Sequence, residues 1–211
     1  MAFDFKKEYK EFYLPKQKPQ IVDVPEMNFI AVRGAGDPNE PDGEYKRAIG
    51  VLYAVAYTLR MSARSGHEIT GFFDYVVPPL EGFWEQGAPG QIDLSRKSEF
   101  KWTSVIRLPD FITREDFDWA VAEASEKKKL DCSAAGFLTV HEGTCVQIMH
   151  VGPYDSEPES VKLMHEYAAQ QGYAVNITPE RPHHEIYLSD PRRTAPEKLR
   201  TVIRHPVRKL A

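Results

Sequence analysis

The chain has 211 residues, with 27 Lys plus Arg against 31 Asp plus Glu for a formal charge of −4, and is 42% hydrophobic and 11% aromatic. That is apolar mass enough for one good core or two closely packed halves. It excludes the basic excess of a dedicated nucleic-acid binder, any apolar run near the roughly 18 residues of a membrane span, and, with only Cys132 and Cys145, a disulfide scaffold.

The opening MAFDFKKEYKEFYL interleaves charge with aromatics, unlike a secretory leader, so a cytoplasmic location with both cysteines reduced and packed is expected. Residues 1–20 are polar, Lys-rich and end in Pro15 and Pro19, which reads as a surface arm. Met27 to Arg33 alternates as a strand that Gly34-Ala35-Gly36 should end. Asp42 is placed to cap a helix carrying Tyr45, Ala48, Ile49, Leu52, Ala56 and Leu59 at helical spacing. Ile69 to Val77 reads as a second strand, stopped by Pro78-Pro79, and residues 80–98 as a Gly/Pro-rich loop holding Phe83 and Trp84. Phe100 to Leu108 alternates as a half-buried strand. Thr113 and Asp116 then open a second helix with Phe117, Ala120, Val121 and Ala124 on one face. A hairpin is expected at 136–151, turning at Glu142-Gly143. Ser156 and Glu159 make a capping-box pattern for a third helix, with Pro158 in its first turn and Gly172 at its end. His183 to Ser189 and Leu199 to His205 complete the strands.

An internal echo organises these elements. Val105-Ile106-Arg107-Leu108-Pro109 is repeated as Val202-Ile203-Arg204-His205-Pro206, Glu40-Pro41 as Glu157-Pro158, and Phe72 to Val76 lines up with His183 to Tyr187. The expected fold is therefore α+β: two strand–helix–strand–strand units with pseudo-two-fold symmetry around a central ligand groove, forming one domain over 21–211 with halves of about 21–109 and 110–211.

The segments His150-Val151-Gly152-Pro153-Tyr154, Glu185-Ile186-Tyr187-Leu188-Ser189-Asp190-Pro191 and Thr201 to Pro206 resemble the gyrase-inhibitor-like (GyrI-like) small-molecule-binding family, over roughly residues 20–206. That family includes effector-binding domains of multidrug-responsive regulators, and its fold agrees with the repeat. The regulators carry a helix-turn-helix, which the first 20 residues here do not suggest. The chain is thus expected to be a stand-alone member, similar to those that hydrolyse cyclopropanoid DNA-alkylating compounds.

Glu185 is the first candidate for chemistry. It shares a strand face with His183 and Tyr187, while His184, Ile186 and Leu188 share the other, expected to face the helices. It matches the family's central acid, and an acid among aromatic rings is expected to have a raised pKa. Glu157, at the start of the third helix, is the second candidate, aimed inward to hold water with Glu185; Tyr187 is placed to donate a hydrogen bond to a carbonyl. Phe83, Trp84, Trp102, Tyr45, Tyr53, Tyr75 and Tyr154, with His183, are expected to bind the ligand, Trp84 because a loop tryptophan has no core to fill. The histidines show no metal-ligand spacing, and no phosphate loop, dinucleotide fingerprint or nucleophile elbow is present, so neither metal nor cofactor is expected. The C-terminal basic residues, Arg204 among them, read as a solvated face. The expected partner is a planar, hydrophobic and in some cases cationic small molecule, bound by a monomer or weak dimer without nucleic acid or membrane. Hydrolysis is the preferred activity; a drug-sequestering or sensor module is the alternative, and a gyrase-binding inhibitor a lesser one.

Overall fold

The structure is a computed structural model that describes residues 2–88, 90 and 92–210. Two short helical turns, α1 (Phe5–Glu8) and α2 (Lys10–Tyr13), precede the strand β1 (Gln20–Ala35) and the helix α3 (Glu44–Arg60). Strands β2 (Leu80–Glu85) and β3 (Lys101–Arg107) follow, then α4 (Arg114–Lys128), β4 (Gly136–Val151), α5 (Glu157–Gln170), β5 (Tyr173–Val175), β6 (His183–Tyr187) and β7 (Arg200–Lys209).

All strand pairs are antiparallel, and the order β4-β1-β3-β2-β6-β7 is closed by a further β4–β7 pairing, so these strands form a ring with β5 added on β7. Closure removes the unpaired edges of an open sheet. The symmetry of the repeat is explicit here. β1, α3, β2 and β3 correspond to β4, α5, β6 and β7, and the units meet at β1–β4 and β2–β6. The counterpart of β6 is thus β2, not the segment 72–76. Ile69 to Val77 is no strand: Gly71 takes φ 76° and only Tyr75 bridges, to Phe3. Within the expected 80–98 loop, 80–85 is a strand; positions 89 and 91 lie outside the described residues.

The expected hairpin is one continuous strand. β1 offers β4 a partner along nearly its whole length, from Gln20↔Gln147 to Ala31↔Gly136, and Glu142 is buried rather than set in a turn. Helix caps divide likewise. Thr113 and Asp116 make the expected capping box on α4. Asp42 sits at φ 57° and leaves the cap of α3 to Gly43; the Ser156 hydroxyl bonds the Pro153 carbonyl instead of α5.

Strand alternation sorts side chains onto two faces. One face packs under α3 and α4 (Ile30, Leu52, Leu59, Ile106, Phe117) and under α5 (Val146, Ile148, Met164, Ile203). The other lines the inside of the ring with Phe29, Phe83, Val105, Ile186 and Val202, and the N-terminal arm closes over it through Phe5, Phe12 and Tyr13. The arm is therefore core, not surface: Tyr13 is only 1% exposed. The face of β6 bearing His184 and Ile186 packs on this arm-covered interior; the helices lie on the groove side.

Candidate functional site

Helices α3 and α5 stand apart on the same face, and between them opens a groove of about 1470 Å³ with β2 and β6 at its base. Tyr45 and Tyr53 project from α3, Glu157 from α5, and Trp84, Glu185 and Tyr187 from the two strands.

Glu157 enters because the chain turns sharply before α5. Extended Pro153 leads into a single 3-10 turn at Tyr154–Ser156, and Pro158 favours helix immediately afterwards. The first residue of α5 is thereby buried, and its Oε1 has no hydrogen-bond partner. Glu185, mid-strand, is fully engaged: Oε1 lies 2.8 Å from His183 Nε2, and Oε2 accepts the Tyr187 hydroxyl at 2.8 Å. The Tyr187 oxygen in turn accepts the Trp84 indole N–H at 2.8 Å. This bond lies close over the β2 backbone, where a Cβ at Gly82 would come 2.7 Å from Trp84 Nε1. Only glycine leaves that space free.

The two acids are driven apart. Burial, and then the neighbouring Glu185 charge, hold Glu157 well above the usual carboxylate range. Burial pushes Glu185 up too, but hydrogen bonds from His183 and Tyr187 outweigh it and leave the group below its ordinary value. The expectation of a raised Glu185 is corrected: of the two acids Glu157 is the one that holds its proton more tightly. Burial and the Glu185 charge also raise the Tyr187 phenol far above its normal range. Its proton is given to Glu185 in this structure.

Donor atoms of Glu157, His183 and Glu185 lie within 4.8 Å of one another. Within this group His183 Nε2 and Glu185 Oε1 bond each other at 2.8 Å.

Tyr53 and Tyr154 line the groove, and Tyr45 packs its ring 5.5 Å from Trp84. Trp84 belongs to β2 and is 7% exposed, a built-in wall rather than a loop residue awaiting a ligand. Three expected ligand contacts lie elsewhere. Phe83 alternates to the opposite face, against Phe29 and His184. Tyr75 is buried beside Phe5 and Phe111 under the arm. Trp102 sits behind Tyr45 at 5.1 Å and covers Gly34, where a Cβ would meet its ring at 2.3 Å. Sequence reasoning missed His205 and His165, which reach this site from β7 and α5. The signal was the strand alternation that puts His205 on the face of Thr201 and Ile203.

Fold and site together define a small-molecule-binding protein whose aromatic groove ends on an acid pair. Residues 17–208 match the GyrI-like small molecule binding domain, and the chain belongs to that family. Among solved structures, a hydrolase from Listeria innocua is similar at 45% identity with a TM-score of 0.89, covering 98% of this chain and 100% of that one. An uncharacterized conserved protein from the same organism is similar at 46% identity and a TM-score of 0.91, over the same shares. The EcmrR C-terminal domain shares the fold at a TM-score of 0.54 and 15% identity, covering 92% of this chain and 98% of its own. None of the curated proteins compared with the chain matches it. No helix among the described residues is long and apolar enough to cross a membrane.

Proposed function

We propose that this protein is a hydrolase that opens the strained ring of planar cyclopropanoid DNA-alkylating compounds, a detoxification carried out in the cytoplasm. The observation that carries the reading is the acid pair Glu157 and Glu185 at the base of a groove walled by aromatic rings, the first held above and the second below the usual carboxylate range. Glu185 is the base. It takes a proton from a water that Glu157 holds, the water oxygen bonds to a cyclopropane carbon, and a ring C–C bond breaks. The released electron pair passes through the conjugated dienone to its oxygen, which takes a proton from solvent and becomes a phenol, while Glu185 releases to solvent the proton it accepted. Trp84, Tyr45, Tyr53 and Tyr154 clamp the flat body, so that positioning supplies part of the rate. The similarity at 45% identity to a Listeria innocua protein named as a hydrolase supports an enzyme.

The test is incubation with a cyclopropanoid, following product mass. Turnover beyond one equivalent is expected, falling about 10²–10⁴-fold in Glu185→Gln and Glu157→Gln. Ring opening at the wild-type rate in both variants would remove the catalytic assignment. Stoichiometric loss of drug without product would make the protein a sequestering or sensor module.

A further inference from the structure

Beyond the acid pair, three imidazoles run in series through the protein. His183 Nε2 lies 2.8 Å from Glu185 Oε1, His183 Nδ1 lies 2.6 Å from His205 Nε2, and His205 Nδ1 lies 2.8 Å from His165 Nε2. Three elements build the row. β6 supplies His183, and α5 supplies His165. β7 supplies His205, which follows Arg204 and so stands across from His183 in the register that pairs His184 with Arg204. His183 and His205 are buried, and His165 is half-buried at the groove.

A neutral imidazole has one N–H and one lone pair, so the row has two self-consistent proton arrangements. In the first, every ring donates from Nε2: His165 to His205, His205 to His183, and His183 to an ionised Glu185. In the second, every proton sits on Nδ1, and Glu185 must itself be protonated to donate to His183. Tyr187 selects the first. Its oxygen already accepts the Trp84 N–H, and its single proton goes to Glu185 Oε2, which favours the ionised carboxylate. Burial also holds His205 and His165 below the usual imidazole range, which favours their neutral forms.

We propose that His205 and His165 are positioning residues that lock His183 as the Nε2–H tautomer and thereby decide which carboxyl is the base, leaving Glu185 charged and Glu157 with the proton. The consequence for turnover rests on the hydrolase reading; the tautomer itself does not. An aspartate holds a catalytic histidine in its working tautomer by the same logic.

Nitrogen-15 spectra of the full chain test the assignment. In the wild type, His183 and His205 are expected to be protonated at Nε2 and bare at Nδ1. His205→Gln keeps one donor and one acceptor, so the His183 pattern and kcat should survive within several-fold. His205→Phe should lose the pattern and lower kcat about 10²-fold with little change in KM. His165→Phe, at the half-buried end, gives the same direction without altering the core. Wild-type His183 protonated at Nδ1, or at both nitrogens, would overturn the proposal. So would retention of both pattern and kcat in the two Phe variants. Expected spectra from a protein that opens no cyclopropanoid would support the tautomer lock and defeat only the hydrolase reading.

Discussion

Strand β6 carries buried titratable groups on both faces, and the two sets are built on opposite principles. On the arm-covered face His184 bridges Glu81 at 2.9 Å and Glu142 at 3.0 Å, while Arg204 bonds Glu142 at 2.8 Å, Gln147 at 3.0 Å and the Phe12 carbonyl at 2.8 Å. Two carboxylates meet two cations, and the Tyr13 hydroxyl donates to Glu81. On the groove face Glu157 and Glu185 stand beside each other, and Glu185 shares its hydrogen bonds with His183 and Tyr187. Burial opposes charge on both sides, yet His184 and Arg204 bring Glu142 down to about 2, and the acids raise His184 to about 9, while Glu157 goes up. Residue type does not separate a structural cluster from a reactive one; the presence of a fixed counter-charge does.

The largest effect expected from this contrast is on stability. Arg204→Met takes from buried Glu142 one of its two cations, and from Gln147 and the Phe12 carbonyl their donor, and should cost about 3–5 kcal/mol in denaturant unfolding. Glu157→Gln removes an acid whose charged form burial and a like charge already disfavour, so it should stabilise by about 1 kcal/mol while lowering activity. Equal losses in the two variants would break the comparison.

Next in size is the response to pH. His184 is raised from 6.5 to about 9, so its contribution is complete below 6.5 and lost as pH climbs through 9. Glu142 is lowered from 4.5 to about 2, so its contribution is complete above 4.5 and lost as pH falls through 2. The arm-side cluster is therefore most stabilising between 4.5 and 6.5, and His184 is worth up to about 3 kcal/mol there relative to pH 9 and above. Glu157, raised above 4.5, works with the opposite sign from Glu142: its contribution is present below 4.5 and lost as pH rises. Unfolding curves from pH 4 to 9 should show a decline that Glu157→Gln makes shallower from 4.5 upward, the loss of the His184 contribution toward 9 remaining in both proteins. A Glu157→Gln profile parallel to wild type throughout would mean that the groove acid is not held protonated.

Much of this was readable in advance, for reasons visible in particular residues. Helical spacing from Tyr45 to Leu59 and the Thr113/Asp116 cap gave the helices, and alternation from His183 to Tyr187 set Glu185 and His183 on one face. The repeated Val-Ile-Arg strands carried the symmetry. What escaped depends on distant pairing. Leu80 to Glu85 looks like loop because Pro78, Pro79, Gly82 and the following glycines suggest turns, yet Gly82 is there to let the Trp84–Tyr187 bond pass over the backbone. Arg204 looks like one of several solvated basic residues, because its partner Glu142 lies far upstream in what reads as a turn. The histidine row joins His165, His183 and His205, which only the β6–β7 register and the packing of α5 bring together.

The smallest effect concerns the donors stacked behind Glu185. Tyr187→Phe removes the hydroxyl that bonds the carboxylate, whereas Trp84→Phe leaves that hydroxyl and removes the N–H that bonds it together with part of the indole ring. Each deletion should cost about 0.5–1.5 kcal/mol, but in different currencies. Without the Tyr187 donor, burial pushes Glu185 upward less opposed, so the acid limb of the rate profile should move to higher pH. Without the Trp84 donor, that limb should stay in place while binding of a flat ligand weakens a few-fold through the altered wall. Identical profiles for the two variants would show that the Tyr187 bond does not hold Glu185 ionised, and the division between charged base and protonated partner would then rest on the histidine row alone.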